Sequence, residues 1–121
     1  MVAKFLWRYT PVADTIIDME FIETPTFSRA VCELMDDDEY RAAQNRLIDT
    51  PACGDLIQGG GGIRKLRVAA LGRGKSGGVR FIYYWKKNEY QIYMLLAYSK
   101  SRKDSLTEQE TAILRDLVKE L

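Results

Sequence analysis

Between Ile63 and Ser99 the hydrophobic period is two, and it stays two for three successive runs. Ile63–Ala69, Val79–Trp85 and Tyr90–Ser99 are rich in β-branched and aromatic residues, so each reads as a strand. Short connections join them: Gly72–Gly78 in the first turn, Asn88-Glu89 in the second. Connections of that length suit antiparallel hairpins. The last run, YQIYMLLAYS, is apolar on both faces, which predicts a central strand.

On either side of this stretch the period is helical. Phe27, Ala30, Val31, Leu34 and Met35 recur at helical spacing after Pro25, with Thr26 as the expected cap. Asp36-Asp37-Asp38 then supplies a cap and favourable charge for a second helix carrying Tyr40, Ala43, Leu47 and Ile48, ended by Pro51. Near the other end, Thr107-Glu108-Gln109-Glu110 matches a capping box. It opens a last helix with Ile113, Leu114, Leu117, Val118 and Leu121 along one stripe. Met19–Thr24 (MEFIET) reads as a first strand, and residues 1–18, with Pro11 and no clear period, as an extension. The expected order is β-α-α-β-β-β-α over residues 19–121: an α+β domain with an N-terminal strand and a helical hairpin packed on a mostly antiparallel sheet.

The strand stretch carries an unexpected load of charge. Residues 63–103 hold eleven Lys/Arg and one acid, Glu89, a balance of +10. Residues 1–62 hold five bases and eleven acids (−6), and residues 104–121 two bases and five acids (−3). The formal net charge of +1 therefore hides a one-sided field, the footprint of a polyanion site. Alternation explains how a hairpin tolerates it: on the first run Lys65 and Arg67 share one face while Leu66 and Val68 share the other. One face is expected to pack on the helices and the other to present a cationic surface.

Composition excludes several classes. A chain of 121 residues is expected to form one domain. No apolar run approaches the ~20 residues that span a bilayer, and MVAKFLWRYT lacks the form of a secretory signal. Cys32 and Cys53 are then expected as free thiols in a reducing cytoplasm. Histidine is absent, which removes the usual acid/base group and the commonest metal ligand. Gly72 to Gly77 matches G-x-G-x-x-G, but a dinucleotide fingerprint needs a helix after it and here a strand follows. These are read as loop glycines on a cationic hairpin tip.

Taken together, several motifs resemble the RelE/HigB family of type II toxins, and the HigB-like branch in particular. They are Gly62-Ile63-Arg64-Lys65-Leu66-Arg67, the tip Gly72-Arg73-Gly74-Lys75-Ser76-Gly77-Gly78, Arg80-Phe81-Ile82-Tyr83-Tyr84, Tyr98-Ser99-Lys100, and Asp104-Ser105-Leu106-Thr107. The likeness covers roughly residues 19–120. It implies a RelE-like fold and a cytoplasmic, ribosome-dependent mRNA endonuclease. It also implies a cognate antitoxin, a small helix-turn-helix DNA-binding protein, through which alone the toxin would reach operator DNA. No membrane and no cofactor are implied.

The implied chemistry is metal-free: the ribose 2′-OH attacks the adjacent phosphate, which needs a base, an acid and positive charge on the phosphorane. By motif position the resemblance assigns catalysis to Lys65, Arg67, Arg80, Tyr98 and Lys100. The other cations of the basic segment, Arg64, Arg73, Lys75, Lys86, Lys87, Arg102 and Lys103, are expected as RNA contacts. With no histidine in the chain, proton transfer falls to Lys, Arg and Tyr; Leu106 stands where some RelE-type enzymes carry a tyrosine, and the histidine of some HigB-type enzymes is absent too. The ParE branch, which shares the fold and poisons DNA gyrase, and a non-catalytic RNA- or antitoxin-binding module are the alternatives.

Overall fold

The computed structural model describes residues 3–12, 15–70, 78–103 and 105–121, with side chains from Met19 onward. The glycine-rich tip, with Arg73 and Lys75, lies outside the described residues. Among those described, six strands form one sheet: β1 (Ala3–Val12), β2 (Thr15–Glu23), β3 (Asp55–Leu56), β4 (Ile63–Val68), β5 (Val79–Lys86) and β6 (Gln91–Ser99). Their order is β1-β2-β6-β5-β4-β3. Only the β2–β6 pairing is parallel; the other four are antiparallel. The doubly apolar β6 takes the centre, between β2 and β5, as its composition predicts.

The expected first strand begins earlier than Met19. β2 starts at Thr15 and pairs antiparallel with β1 along its length, with Ala3 opposite Glu23 and Tyr9 opposite Ile17. Thr15, Ile16 and Ile17 are β-branched and extend the strand toward the N-terminus. Pro11 does no harm in β1, because β1 is an edge strand and a missing N–H there breaks no interior ladder.

Among the described residues three α-helices cover the sheet: α1 (Pro25–Leu34), α2 (Asp37–Asp49) and α3 (Glu108–Lys119). The cap of α1 is Thr24, not Thr26. Its hydroxyl accepts from the Phe27 N–H at 3.0 Å and donates to the Leu95 carbonyl at 2.8 Å, tying helix to central strand. Pro25 occupies the first helical position, where a missing N–H costs nothing, so it opens the helix as well as ending β2. Both capping boxes form, Asp36 with Glu39 and Thr107 with Glu110.

The sheet carries a core on each face. On one, α1 and α2 pack on Leu66, Val68, Phe81 and Tyr83. There Phe27, Tyr40 and Phe81 form an aromatic cluster with centroids 5.1 to 5.9 Å apart, Phe27 and Phe81 edge to face. Alternation turns Ile63 and Ile82 to the opposite face, where they join Leu95 and, from α3, Leu114 and Val118. The predicted stripe of α3 is only half used: Leu114 and Val118 are buried, while Ile113 stays 63 % and Leu117 40 % exposed. A single helix resting on a sheet touches it through one narrow ridge, and the flanking apolar positions face outward.

Two buried polar side chains behind the first core, Glu23 and Tyr83, are each doubly matched. Glu23, 3 % exposed, accepts from the hydroxyls of Ser28 and Tyr40, and burial beside that carboxylate pushes the Tyr40 phenol far up. The Tyr83 hydroxyl donates to the Pro51 carbonyl at 2.6 Å and accepts from the Gly54 N–H at 2.9 Å. Burial raises its pKa to about 12. Gly54 is required there, since a Cβ would lie 2.7 Å from the Tyr83 ring and 3.0 Å from the Lys65 carbonyl. Both cysteines are free thiols. Among the described residues no helix is long and apolar enough to cross a membrane.

Candidate functional site

The face that carries α3 also carries most of the predicted catalytic set. Antiparallel pairing puts Arg67 of β4 directly opposite Arg80 of β5, and Arg80 directly opposite Tyr98 of β6. Directly opposed residues point to the same side of a sheet, so the three side chains form one row across three strands. Lys65 lies two residues back on β4, on the same side and opposite Ile82, about 7 Å from Arg67 by strand rise. Two guanidinium groups in directly opposed positions are electrostatically unfavourable. Such an arrangement concentrates positive potential where an anion would be stabilised.

Exposure differs along the row. Arg67 is open to solvent. Arg80 is 6 % exposed, and one of its terminal nitrogens donates to the Val79 carbonyl at 3.4 Å, so its guanidinium is held inside the sheet surface. Tyr98 is half-buried. The expected cationic face is therefore shared: α3 covers its apolar part, Ile63, Ile82 and Leu95, and leaves the row at the margin.

Lys100 follows Tyr98 by two residues. Its N–H donates to the Gly78 carbonyl at 3.1 Å, which carries the β5–β6 ladder one step past β6 and keeps the exposed lysine beside the row. Gly78 has φ +73°, and a Cβ there would meet the Val68 carbonyl at 2.3 Å, so glycine is needed where β5 begins. Lys103, predicted as an RNA contact, reaches the row as well: its ammonium lies 5.6 Å from the centroid of the Tyr98 ring, within cation–π range. It is held there by an ion pair with Glu110, the second member of the α3 capping box. Hydrogen bonding from Lys103, followed by that from the Thr107 N–H, holds the Glu110 carboxyl below the usual range. The sequence pattern marks Glu110 as a cap and says nothing of this second contact. Arg102 is exposed on the same turn, its N–H bound to the Ser99 carbonyl.

The remaining predicted cations lie elsewhere. Arg64 is opposite Tyr83, on the α1/α2 side, and donates to the carbonyls of Ala52 at 3.1 Å and Gly54 at 2.8 Å. Lys86 and Lys87 sit at the far end of β5, about 20 Å from Arg80 at the usual rise per strand residue. Lys86 donates to the Leu121 carbonyl at 2.7 Å and pairs with Glu89 at 3.3 Å. Of the seven expected RNA contacts, then, Lys103 and Arg102 are near the row, three are remote, and Arg73 and Lys75 lie outside the described residues.

A mixed sheet of this order, with a helical hairpin on one face and a single helix on the other, is the RelE-like α+β fold. The comparison with known families agrees with it. Residues 19–121 match the family model described as the RelE toxin of the RelE / RelB toxin-antitoxin system, and the chain belongs to that toxin family.

Proposed function

We propose that this protein is a ribosome-dependent mRNA endoribonuclease, the toxin of a type II toxin–antitoxin pair of the HigB-like branch, and that the Arg67–Arg80–Tyr98 row is its active site. The observation that carries the reading is the row itself: two guanidinium groups and a phenol in one register line, with Lys65, Lys100 and Lys103 around them.

In this reading the ribose 2′-OH attacks the adjacent phosphorus, forming the O2′–P bond while the P–O5′ bond breaks. The products are a 2′,3′-cyclic phosphate and a 5′-OH. Arg67 and Arg80 stabilise the charge that builds on the phosphorane oxygens, and Arg80, already held at the sheet surface, needs little reorganisation during the step. One proton leaves the 2′-OH and one arrives at O5′. Lys65, Tyr98 and Lys100 flank the two guanidinium groups and supply those transfers in a chain without histidine. The strongly positive 63–103 segment is also a docking face for an acidic segment of the antitoxin, a small helix-turn-helix protein that would carry the complex to operator DNA.

The test is induction of the protein followed by primer-extension mapping of mRNA 5′ ends, beside a gyrase supercoiling assay. Cuts inside coding frames that require ribosomes are expected. Intact mRNA with trapped or cleaved DNA would overturn the reading in favour of a gyrase poison.

A further inference from the structure

Three predicted cations that stay out of the row converge on one place. Arg64, Lys86 and Lys87 line a groove of about 520 Å³ at the far end of the β4–β5 hairpin, together with Tyr84, Trp85 and Leu56. We propose that this groove is a second contact for single-stranded RNA, separate from the row, holding the same strand whose phosphate the row addresses. The inference rests on the RNA-directed reading above and extends it to a site that reading does not use.

The chemistry of the lining favours a nucleic-acid strand. Lysine and arginine beside aromatic rings is the combination that binds single strands, cations taking phosphates and flat or apolar groups taking bases. Lys87 is exposed, with its ammonium 6.0 Å from the centroid of the Trp85 ring. Arg64 is fixed in orientation by its bonds to the Ala52 and Gly54 carbonyls, and Lys86 by its bond to Leu121. Arg64 therefore lines the groove as a fixed wall whose guanidinium serves the loop after α2, Lys86 is held in place beside it, and the exposed Lys87 is the cation that meets a phosphate. Glu89 is the sole acid among the lining residues and is paired with Lys86, so the groove keeps a positive balance. Leu56, on the two-residue edge strand β3, stands 63 % exposed at the rim, where a base can cover it. Gly61 and Gly62, both at positive φ, form the same wall, with the Tyr84 ring packed close over Gly62.

Position favours one continuous ligand. β4 begins next to Gly62 at the groove, passes Lys65 and ends its cationic face at Arg67 in the row. At about 3.3 Å per residue the groove wall at Gly62 lies about 16 Å from Arg67 along β4, and Lys86 about 20 Å from Arg80 along β5, with Lys65 in between. An acidic peptide would use the cations and leave the rings and Leu56 unfilled.

The experiment uses the full chain and a short 2′-O-methyl oligoribonucleotide carrying 4-thiouridine, which binds and crosslinks without being cut. Crosslinks are expected in peptides bearing Leu56 and Tyr84–Asn88, as well as near the row. The Lys87→Gln variant should weaken oligonucleotide binding several-fold and flatten the dependence of log K on log salt by about 0.7, one phosphate contact on a single strand. Crosslinks confined to the row, an unchanged salt slope, or no binding by the wild-type chain would overturn the proposal. So would a Lys87→Gln variant that binds RNA normally and loses affinity for its antitoxin. Cleavage by the wild-type protein on ribosomes is scored separately: its absence, with the groove effects intact, would sink the nuclease reading and leave the groove standing.

Discussion

Arg64 and Arg67 stand three residues apart on one strand and do opposite things. Arg64 turns toward α1 and α2, where its guanidinium binds two carbonyls of the loop that follows α2. Arg67 turns toward α3 and is open to solvent, opposite a second arginine. The contrast holds for the two faces as wholes. Behind α1 and α2 two buried polar groups are each doubly matched: Glu23 by Ser28 and Tyr40, Tyr83 by Pro51 and Gly54. Across the sheet, cations are placed side by side. The first arrangement is what stability demands of buried polar groups; the second sets like charges opposite each other across β4 and β5, a local cost of the kind that marks places kept for a ligand.

The sharpest way to break this comparison is to damage the closed face. Phe81 is fully buried in the aromatic cluster with Phe27 and Tyr40. Phe81→Ala should lower unfolding free energy by about 3–5 kcal/mol in a denaturant titration, as large-to-small changes in a packed core do. A loss below about 1 kcal/mol would mean the face is not packed as a core at all.

A smaller effect is expected at Tyr83. Tyr83→Phe leaves the Gly54 N–H and Pro51 carbonyl without their partner and should cost about 1–3 kcal/mol. The same hydroxyl gives an alkaline signature. Its folded pKa is raised to about 12 from 10.0, so its contribution is fully present below pH 10 and fades as pH rises toward 12. The Phe variant should lack that part of the alkaline decline. An identical alkaline profile in the two proteins would remove Tyr83 from the account of the closed face.

How much of this was legible in the sequence follows from the same contrast. Period two announced β4, β5 and β6, the acidic N-cap run announced α2 and the capping box α3, because those signals are local. The β1–β2 hairpin was not legible: Pro11 argues against a strand, and only its edge position in the assembled sheet makes proline tolerable there. β3 is two residues long, too short to show a period. In the candidate site, alternation put Lys65 and Arg67 on one face, but charge alone could not tell Arg67 from the structural Arg64. The alignment of Arg67, Arg80 and Tyr98 depends on register, which turn geometry and packing set together. Nor could an amphipathic stripe reveal that α3 would bury Leu114 and Val118 and leave Ile113 exposed.

The smallest expected effect is at Glu110, which joins the α3 cap to Lys103 beside Tyr98. Glu110→Gln keeps the capping hydrogen bonds and removes the charge. The pair is partly exposed, so the loss should be about 0.2–1 kcal/mol. Lys103 and the Thr107 N–H lower the Glu110 pKa, so the pair contributes above the ordinary glutamate range and is lost as pH falls through the folded value. The wild-type protein should lose that increment on acidification and the Gln variant should not. Parallel acid profiles would show that the ion pair contributes nothing.

The central claim is that the open face does chemistry on RNA through the row, and Arg67 tests it most directly because it is exposed and its removal need not disturb the fold. The measurement is single-turnover cleavage of mRNA on a programmed ribosome by Arg67→Ala, with the unfolding midpoint recorded on the same preparation. A fall of about 10²–10³-fold in rate with an unchanged midpoint is expected for loss of one positioned charge-stabilising group. Wild-type cleavage by a fully folded Arg67→Ala protein would contradict the assignment of the row as the active site.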